Sequence, residues 1–215
     1  MRDGANKACT WNITMNRLII TLGLLALTGT AIAQEHLPRQ EALKYAFLVS
    51  VDLKNLQGTP IPTDVDLKRV VAMRDGDYGA MVLPEAKLSA SAIAGAGSSV
   101  VPVGQLWLHR LTPMKDGSGI PEDRLRVVTV EAGQQTGTAV QCALGVKGNG
   151  SGGLELLVYG KGQEPVLSVP LRQAESSGDA PISMDAERTG DEGGRIILRI
   201  AGRYRASIPV TELGF

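Results

Sequence analysis

Apolar and polar residues alternate at a period of two in short stretches throughout this chain. That period gives a β-strand one apolar and one polar face. Turn clusters such as Asp75-Gly76-Asp77 and Gly148-Asn149-Gly150 separate the stretches. Short strands punctuated in this way predict an all-β fold, an antiparallel β-sandwich. Two packed β subdomains are the alternative, and residues 113–123 are then the best internal boundary.

Eleven stretches fit the strand pattern. They are 43–53, 67–73, 78–83, 100–111, 124–130, 140–146, 154–159, 166–171, 182–186, 195–200 and 204–210. The longest uninterrupted alternation is at 43–53, where every second residue is apolar. One short helix is predicted near residues 84–96, because Pro84 suits a first helical turn and Gly95 and Gly97 suit a stop.

The first 33 residues have the order of a secretory signal peptide. Arg17 precedes a ten-residue apolar stretch at 18–27, and Ala31-Ile32-Ala33 offers the small residues that a signal peptidase reads. The apolar stretch is too short for a permanent membrane span, which needs about 20 residues. We therefore expect cleavage near Ala33 and a periplasmic or secreted domain over 34–215, without a transmembrane anchor. Translation from Met15 instead of Met1 would give a more compact signal.

The charge balance argues against nucleic acid as a partner. The whole chain has 22 basic and 22 acidic residues. Residues 1–33 contain three of the basic residues, Arg2, Lys7 and Arg17, and one of the acidic residues, Asp3. The segment 34–215 therefore keeps 19 basic and 21 acidic residues. Binding to nucleic acid requires clustered positive charge, and this balance gives the domain no general attraction of that kind. The sequence therefore predicts no nucleic-acid partner.

Catalytic and cofactor motifs are also lacking. Only His36, His109 and Cys142 remain in 34–215 as potential nitrogen or sulfur ligands of a metal, so we expect no zinc site. The spacing Gly148-x-Gly150-x-x-Gly153 matches the dinucleotide fingerprint, but it links two predicted strands, and we expect no cofactor. Cys142 lies on an apolar strand face and is predicted to be a buried, unreactive thiol.

Loop carboxylates leave one enzymatic alternative open. The acids occur as Asp75/Asp77, as Glu122/Asp123 and in the stretch 185–192. Two of them on facing walls of a cleft would suit a carboxylate-dependent hydrolase of cell-wall or extracellular polysaccharide. A calcium site in 185–192 is a further alternative for these acids.

Two strand faces are candidate binding surfaces. The first aligns Gln105, Trp107 and His109, which predicts either a sugar-stacking platform or a Trp107 buried in the core.

The second surface lies on the C-terminal hairpin. If Ala201-Gly202-Arg203 is the loop, Arg199 lies opposite Arg205, with Arg195 on the same face. Such a like-charge pair is unfavourable unless acids of a neighbouring strand, water or an anionic ligand compensate it.

The sequence therefore favours a non-catalytic exported module that binds a partner protein or an envelope or extracellular polymer. Arg195, Arg199 and Arg205 are its best binding residues, followed by Gln105, Trp107 and His109. The carboxylate-dependent hydrolase is the alternative function.

Overall fold

The computed structural model describes residues 34–53, 60–132, 135–176, 178–190 and 193–214. The predicted signal peptide at 1–33 lies outside them. The strands of the described chain are β1 Glu35–His36, β2 Val71–Asp75, β3 Tyr78–Pro84, β4 Val101–His109, β5 Leu111–Lys115, β6 Ser118–Gly119, β7 Arg126–Ala132, β8 Gln135–Gly148, β9 Leu154–Tyr159, β10 Pro165–Gln173, β11 Ile182–Arg188, β12 Gly193–Ile200 and β13 Tyr204–Glu212. Two α-helices, α1 Arg39–Leu53 and α2 Ala90–Ala94, and two 3₁₀ turns, Leu67–Arg69 and Glu122–Arg124, complete the elements.

All strand pairs are antiparallel, which confirms the all-β prediction. The strands follow one hydrogen-bonded path in the order β1-β2-β3-β4-β8-β9-β10-β13-β12-β11, with β7 paired to β8, β5 to β13 and β6 to β5. The sheet curls, so that β11 approaches β2 from the opposite end of the path. This pairing does not confirm a division into the two separate sheets of a sandwich.

Side chains link the two ends of the curled sheet. Arg188 on β11 donates two hydrogen bonds to the carboxylate of Asp75 on β2, at 2.7 and 2.8 Å. Next to them, His36 Nε2 lies 3.6 Å from the carboxylate of Asp185. A bidentate guanidinium–carboxylate pair fixes orientation as well as distance. The approach of β11 to β2 is therefore held by charged side chains.

The main hydrophobic core lies inside the curl. Each strand contributes the alternate residues of its inner face, as the period of two requires. The fully buried members include Leu106, Leu144 and Val158 from β4, β8 and β9, and Ile182, Leu198 and Ile208 from β11, β12 and β13. The opposite face of each strand is left for α1, for loops or for solvent.

The prediction of a strand at 43–53 is wrong, because this stretch belongs to α1. Ala42, Ala46 and Val49 recur at helical spacing and are buried, whereas Tyr45 and Phe47 are 46% and 61% exposed. The carbonyl of Pro38 accepts hydrogen bonds from the first-turn amides. The small alanines let the helix pack closely on the outer face of the sheet, and this packing outweighs the period-two pattern.

The predicted short helix is present within 84–96, but it covers only α2. Ser89 caps it, since its hydroxyl accepts a hydrogen bond from the amide of Ala92 at 3.2 Å. Pro84 is not in the helix: it is the last residue of β3. Neither helix of the described chain is both long and apolar enough to cross a bilayer.

Candidate functional site

Four arginines occupy the outward side of β10, β13 and β12, and we call this surface the arginine face. They are Arg172, Arg205, Arg195 and Arg199. Because Ile200 pairs with Tyr204 across a turn at 201–203, Arg199 lies directly opposite Arg205, which confirms the predicted juxtaposition. Arg205 is also the register partner of Arg172. Three arginines thus form one row across three adjacent strands.

Two acids on the neighbouring strand partly compensate this row. Arg199 Nε lies 3.7 Å from the carboxylate of Asp185, and Arg205 lies 4.0 Å from that of Glu187. Compensation by acids of a neighbouring strand, one of the alternatives from the sequence, is therefore present. All four side chains are substantially exposed, and exposed ion pairs contribute only about 0–1 kcal/mol to stability.

A buried residue lies on the outward side of β12, between the strands of Arg205 and Glu187. Glu187 is on β11 and Arg205 on β13, so the arginine side chain has to span β12 to reach it. Ile197, on the outward side of β12, is only 3% exposed, although its neighbours Ile196 and Leu198 point into the core.

The arginine face has an excess of positive charge. Within the described chain, Arg172 and Arg195 form no ion pair, and the other two arginines share Asp185 and Glu187. Four cations against two anions leave two positive charges on this surface. A local excess of this kind attracts anions, and the attraction weakens as salt rises.

Arg172 also borders a broad depression on the outer side of β8, β9 and β10. The depression has a volume of about 1350 Å³, and its largely apolar lining includes the polar side chains of Lys147, Asn149, Ser168 and Gln173. The hydroxyl of Ser168 donates to the carboxylate of Glu155 at 2.9 Å. The row of arginines therefore borders a large depression with both apolar and polar side chains.

The second predicted set divides between the core and the surface. Gln105 and Trp107 are 3% and 2% exposed. The indole N–H of Trp107 donates to Gln105 Oε1 at 3.1 Å, and Gln105 Nε2 donates to the hydroxyl of Thr63 at 2.7 Å. A sugar-stacking platform needs an open ring face, and the ring of Trp107 is buried. The structure therefore agrees with the alternative prediction, in which Trp107 lies in the core with its N–H hydrogen-bonded.

His109 lies at the exposed end of the same strand. Its Nδ1 is 2.9 Å from the carbonyl oxygen of Thr138. A carbonyl oxygen only accepts, so Nδ1 has the proton in this contact. His109 and Trp107 both line a groove of about 700 Å³ next to α1, whereas Gln105 does not.

The acids proposed for catalysis are dispersed over separate elements. Asp75 is bound by Arg188, and Asp77 lies 3.1 Å from Arg110. Glu122 and Asp123 are exposed in a 3₁₀ turn, and Asp191 and Glu192 lie outside the described residues. Within the described ranges, no three His, Cys, Asp or Glu side chains are grouped closely enough to hold a metal ion.

Cys142 lies on the inner face of β8, opposite Leu106 on β4. Its side chain has no exposure to solvent. Burial raises the pKa of the thiol to about 12, because the charged thiolate loses its hydration in the core. The prediction of a buried thiol is confirmed.

Sequence reasoning missed Arg172. Its position at the end of β10 gives no sign of its neighbours, since β10 and β13 are more than 30 residues apart and pair only at their ends. A charged residue directly after the alternating stretch 166–171 was the available signal. No protein-family model, no curated protein and no solved structure matches this chain.

Proposed function

We propose that this chain is an exported, non-catalytic module whose arginine face binds an anionic polymer of the cell envelope or extracellular space. The proposal rests on one observation: Arg172, Arg205 and Arg199 lie in register on three adjacent strands. Export rests on the sequence of residues 1–33.

The chemistry of the arginines suits carboxylate, sulfate or phosphate groups. A guanidinium group presents planar donors that pair with such anions at two points. Asp185 and Glu187 hold Arg199 and Arg205 only at 3.7 and 4.0 Å, beyond ideal hydrogen-bond distance. An incoming anion can therefore replace them at little cost, because these pairs are exposed and weak.

A polymer fits this surface better than a small anion. Adjacent strands are about 4.8 Å apart, so the row spaces its three charges over about 10 Å. Arg172 then leads into the depression whose lining includes Lys147 and Asn149. A linear polyanion can contact several of these groups at once, and weak contacts on one chain reinforce each other.

The hydrolase alternative has less support. Asp75 and Asp77 are each paired with an arginine, and Asp185 and Glu187 form part of the arginine face. Acids that are paired with arginines favour a structural or binding role over proton transfer.

The proposal is tested with dextran sulfate as the polyanion and uncharged dextran as its control, by titration calorimetry. The face variant is Arg172→Ser/Arg199→Ser/Arg205→Ser. The matched variant Arg39→Ser/Arg69→Ser/Arg124→Ser removes the same charge from exposed positions elsewhere. We expect binding of the wild type that fades as the screening length falls from about 8 to about 3 Å.

The face variant should lose at least about tenfold in affinity, equivalent to about 1.4 kcal/mol, and the matched variant much less. Both should melt near the wild-type temperature, because exposed ion pairs contribute little. Equal losses of affinity in the two variants would contradict the proposal, because binding would then depend only on the net charge of the protein. The proposal of a polymer ligand would be wrong if the protein bound no polyanion but bound an acidic protein through the same arginines. The partner would then be a protein.

A further inference from the structure

A titratable side chain lies at the β11 end of the arginine face, outside the residues that the proposed function uses. It is His36 on β1, the strand at the β2 end of the hydrogen-bonded path. Its imidazole is 56% exposed, and Nε2 lies 3.6 Å from Oδ1 of Asp185 on β11. Asp185 pairs in register with Ile197 on the outward side of β12. β1 therefore brings an imidazole across the seam of the curled sheet to the arginine face.

The carboxylate of Asp185 is shared between His36 and Arg199. His36 approaches Oδ1, and Arg199 Nε lies 3.7 Å from Oδ2 of the same carboxylate. Both distances are beyond ideal hydrogen-bond length, and the three side chains are between 39% and 56% exposed. Neither partner therefore holds the carboxylate firmly. A change of charge on the imidazole changes the balance between the two.

The other charged groups near His36 belong to ion pairs of their own. Within the described chain they pair as Arg74 with Glu35 and with Glu41, Arg188 with Asp75, and Arg205 with Glu187. The register partner of His36 on β2 is Met73, which has no charge. Between about pH 5 and pH 8, the imidazole is the side chain that ordinarily changes its charge. The surrounding pairs therefore contribute a constant field, and His36 contributes the part that depends on pH.

Protonation of His36 adds one cation to the arginine face. The face has four arginines against Asp185 and Glu187, so its excess rises from two positive charges to three. The imidazolium also competes with Arg199 for Asp185. The guanidinium group of Arg199 then has more of its donors available for an incoming anion. Both effects strengthen the attraction of this surface for negative charge.

We propose that His36 is a further binding residue of the arginine face, and that its protonation makes the face bind anionic polymer more tightly at mildly acidic pH. This role of His36 rests on the proposed function, since it concerns the same surface and the same ligand. The row of three arginines runs from β10 to β12, and β11 with His36 beside it comes next. A linear polymer that follows the row therefore reaches the imidazole after Arg199.

Dextran sulfate is the probe, because its sulfate groups keep their charge over this pH range. The full chain is titrated by calorimetry at low salt, at about pH 7.5 and about pH 5.5. We expect the wild type to bind about twofold to fivefold more tightly at the lower pH, which is the effect of one exposed ion pair. Binding at about pH 6.5 should also take up protons. Proton uptake is measured as a dependence of the binding heat on the ionisation heat of the buffer.

Three variants assign the effect to one imidazole. His36→Gln removes the charge that titrates, so its affinity should be nearly equal at the two pH values. His36→Arg keeps a positive charge at both, so at about pH 7.5 it should bind as tightly as the wild type does at about pH 5.5. His109→Gln is the matched control, because it removes the other imidazole of 34–215, which lies beside the groove next to α1. It should keep the full pH dependence.

The proposal is overturned if the wild type binds equally well at the two pH values, or if His36→Gln keeps the pH dependence. It is also overturned if His109→Gln loses the dependence, since the other imidazole would then be responsible. Each of these results leaves the proposed function intact, because dextran sulfate still binds. If neither the wild type nor His36→Arg binds dextran sulfate at either pH, the proposed function and the role of His36 are both wrong.

Discussion

Raising the pH should destabilise this protein through Cys142. The pKa of the thiol is about 12 in the folded protein, against an ordinary value of 9.0. Above about pH 9, the unfolded chain loses the thiol proton while the folded protein keeps it. The free energy of unfolding therefore falls as the pH rises, by about 1 kcal/mol for each pH unit in this range.

The effect is isolated by comparing the wild type with Cys142→Ala, both in a Cys9→Ser background. Tyrosines and lysines titrate alike in the two proteins and cancel in the difference. Urea unfolding between about pH 8 and about pH 10.5 should show the wild type losing about 2 kcal/mol relative to the variant. At pH 8, the native wild type should also resist thiol reagents, because the thiolate is the reactive species.

A stability difference that stays constant over this pH range would refute the reasoning. It would mean that the thiol ionises equally in the folded and unfolded states, and that Cys142 is reached by water. Complete modification of the native protein by a thiol reagent within minutes would lead to the same conclusion.

Three further predictions concern the fold and its processing. Gly104→Ala should destabilise the protein by about 3 kcal/mol or more in urea unfolding, because φ is +142° at this position and a Cβ would collide with the carbonyl oxygen of Leu83. Gly162→Ala is the control and should be tolerated, because the space around Gly162 is open. Gln105→Leu should cost about 1–3 kcal/mol in the same assay, since Trp107 then loses its acceptor; an unchanged stability would show that water replaces the amide. N-terminal sequencing of protein from its native host should find Gln34 first, and retention of residues 18–33 would contradict the predicted signal.

The strands could be predicted from the sequence because the core lies on one face of a curled sheet. Each inner face is apolar at every second residue, and the stretch 154–159 coincides with β9. The helix α1 could not be recognised in this way. The large apolar side chains of α1 alternate as they would in a strand. Its buried face is made partly by Ala42 and Ala46, and alanines contribute little to an apolar pattern because their side chains are small.

Contacts in the candidate sites could be predicted from the sequence where they join two strands that are consecutive in the chain. The pairing of Arg199 with Arg205 follows from the loop at 201–203, because the two strands are consecutive in the chain. Glu187 joins them through the pairing of the consecutive strands β11 and β12, whereas Arg172 joins them through the pairing of β10 with β13, between which two other strands lie in the chain. The burial of Trp107 likewise depends on α1, which the sequence pattern had assigned to a strand.

The claim that the arginine face binds anionic polymer is tested most directly by mapping the contact. Backbone amide resonances are followed by NMR while a short dextran sulfate chain is added at low salt. The account predicts the largest shifts at Arg172, Ile197, Arg199 and Arg205, and their loss at high salt. Shifts centred on other arginines, such as Arg39 and Arg124, or spread evenly over the surface, would contradict it.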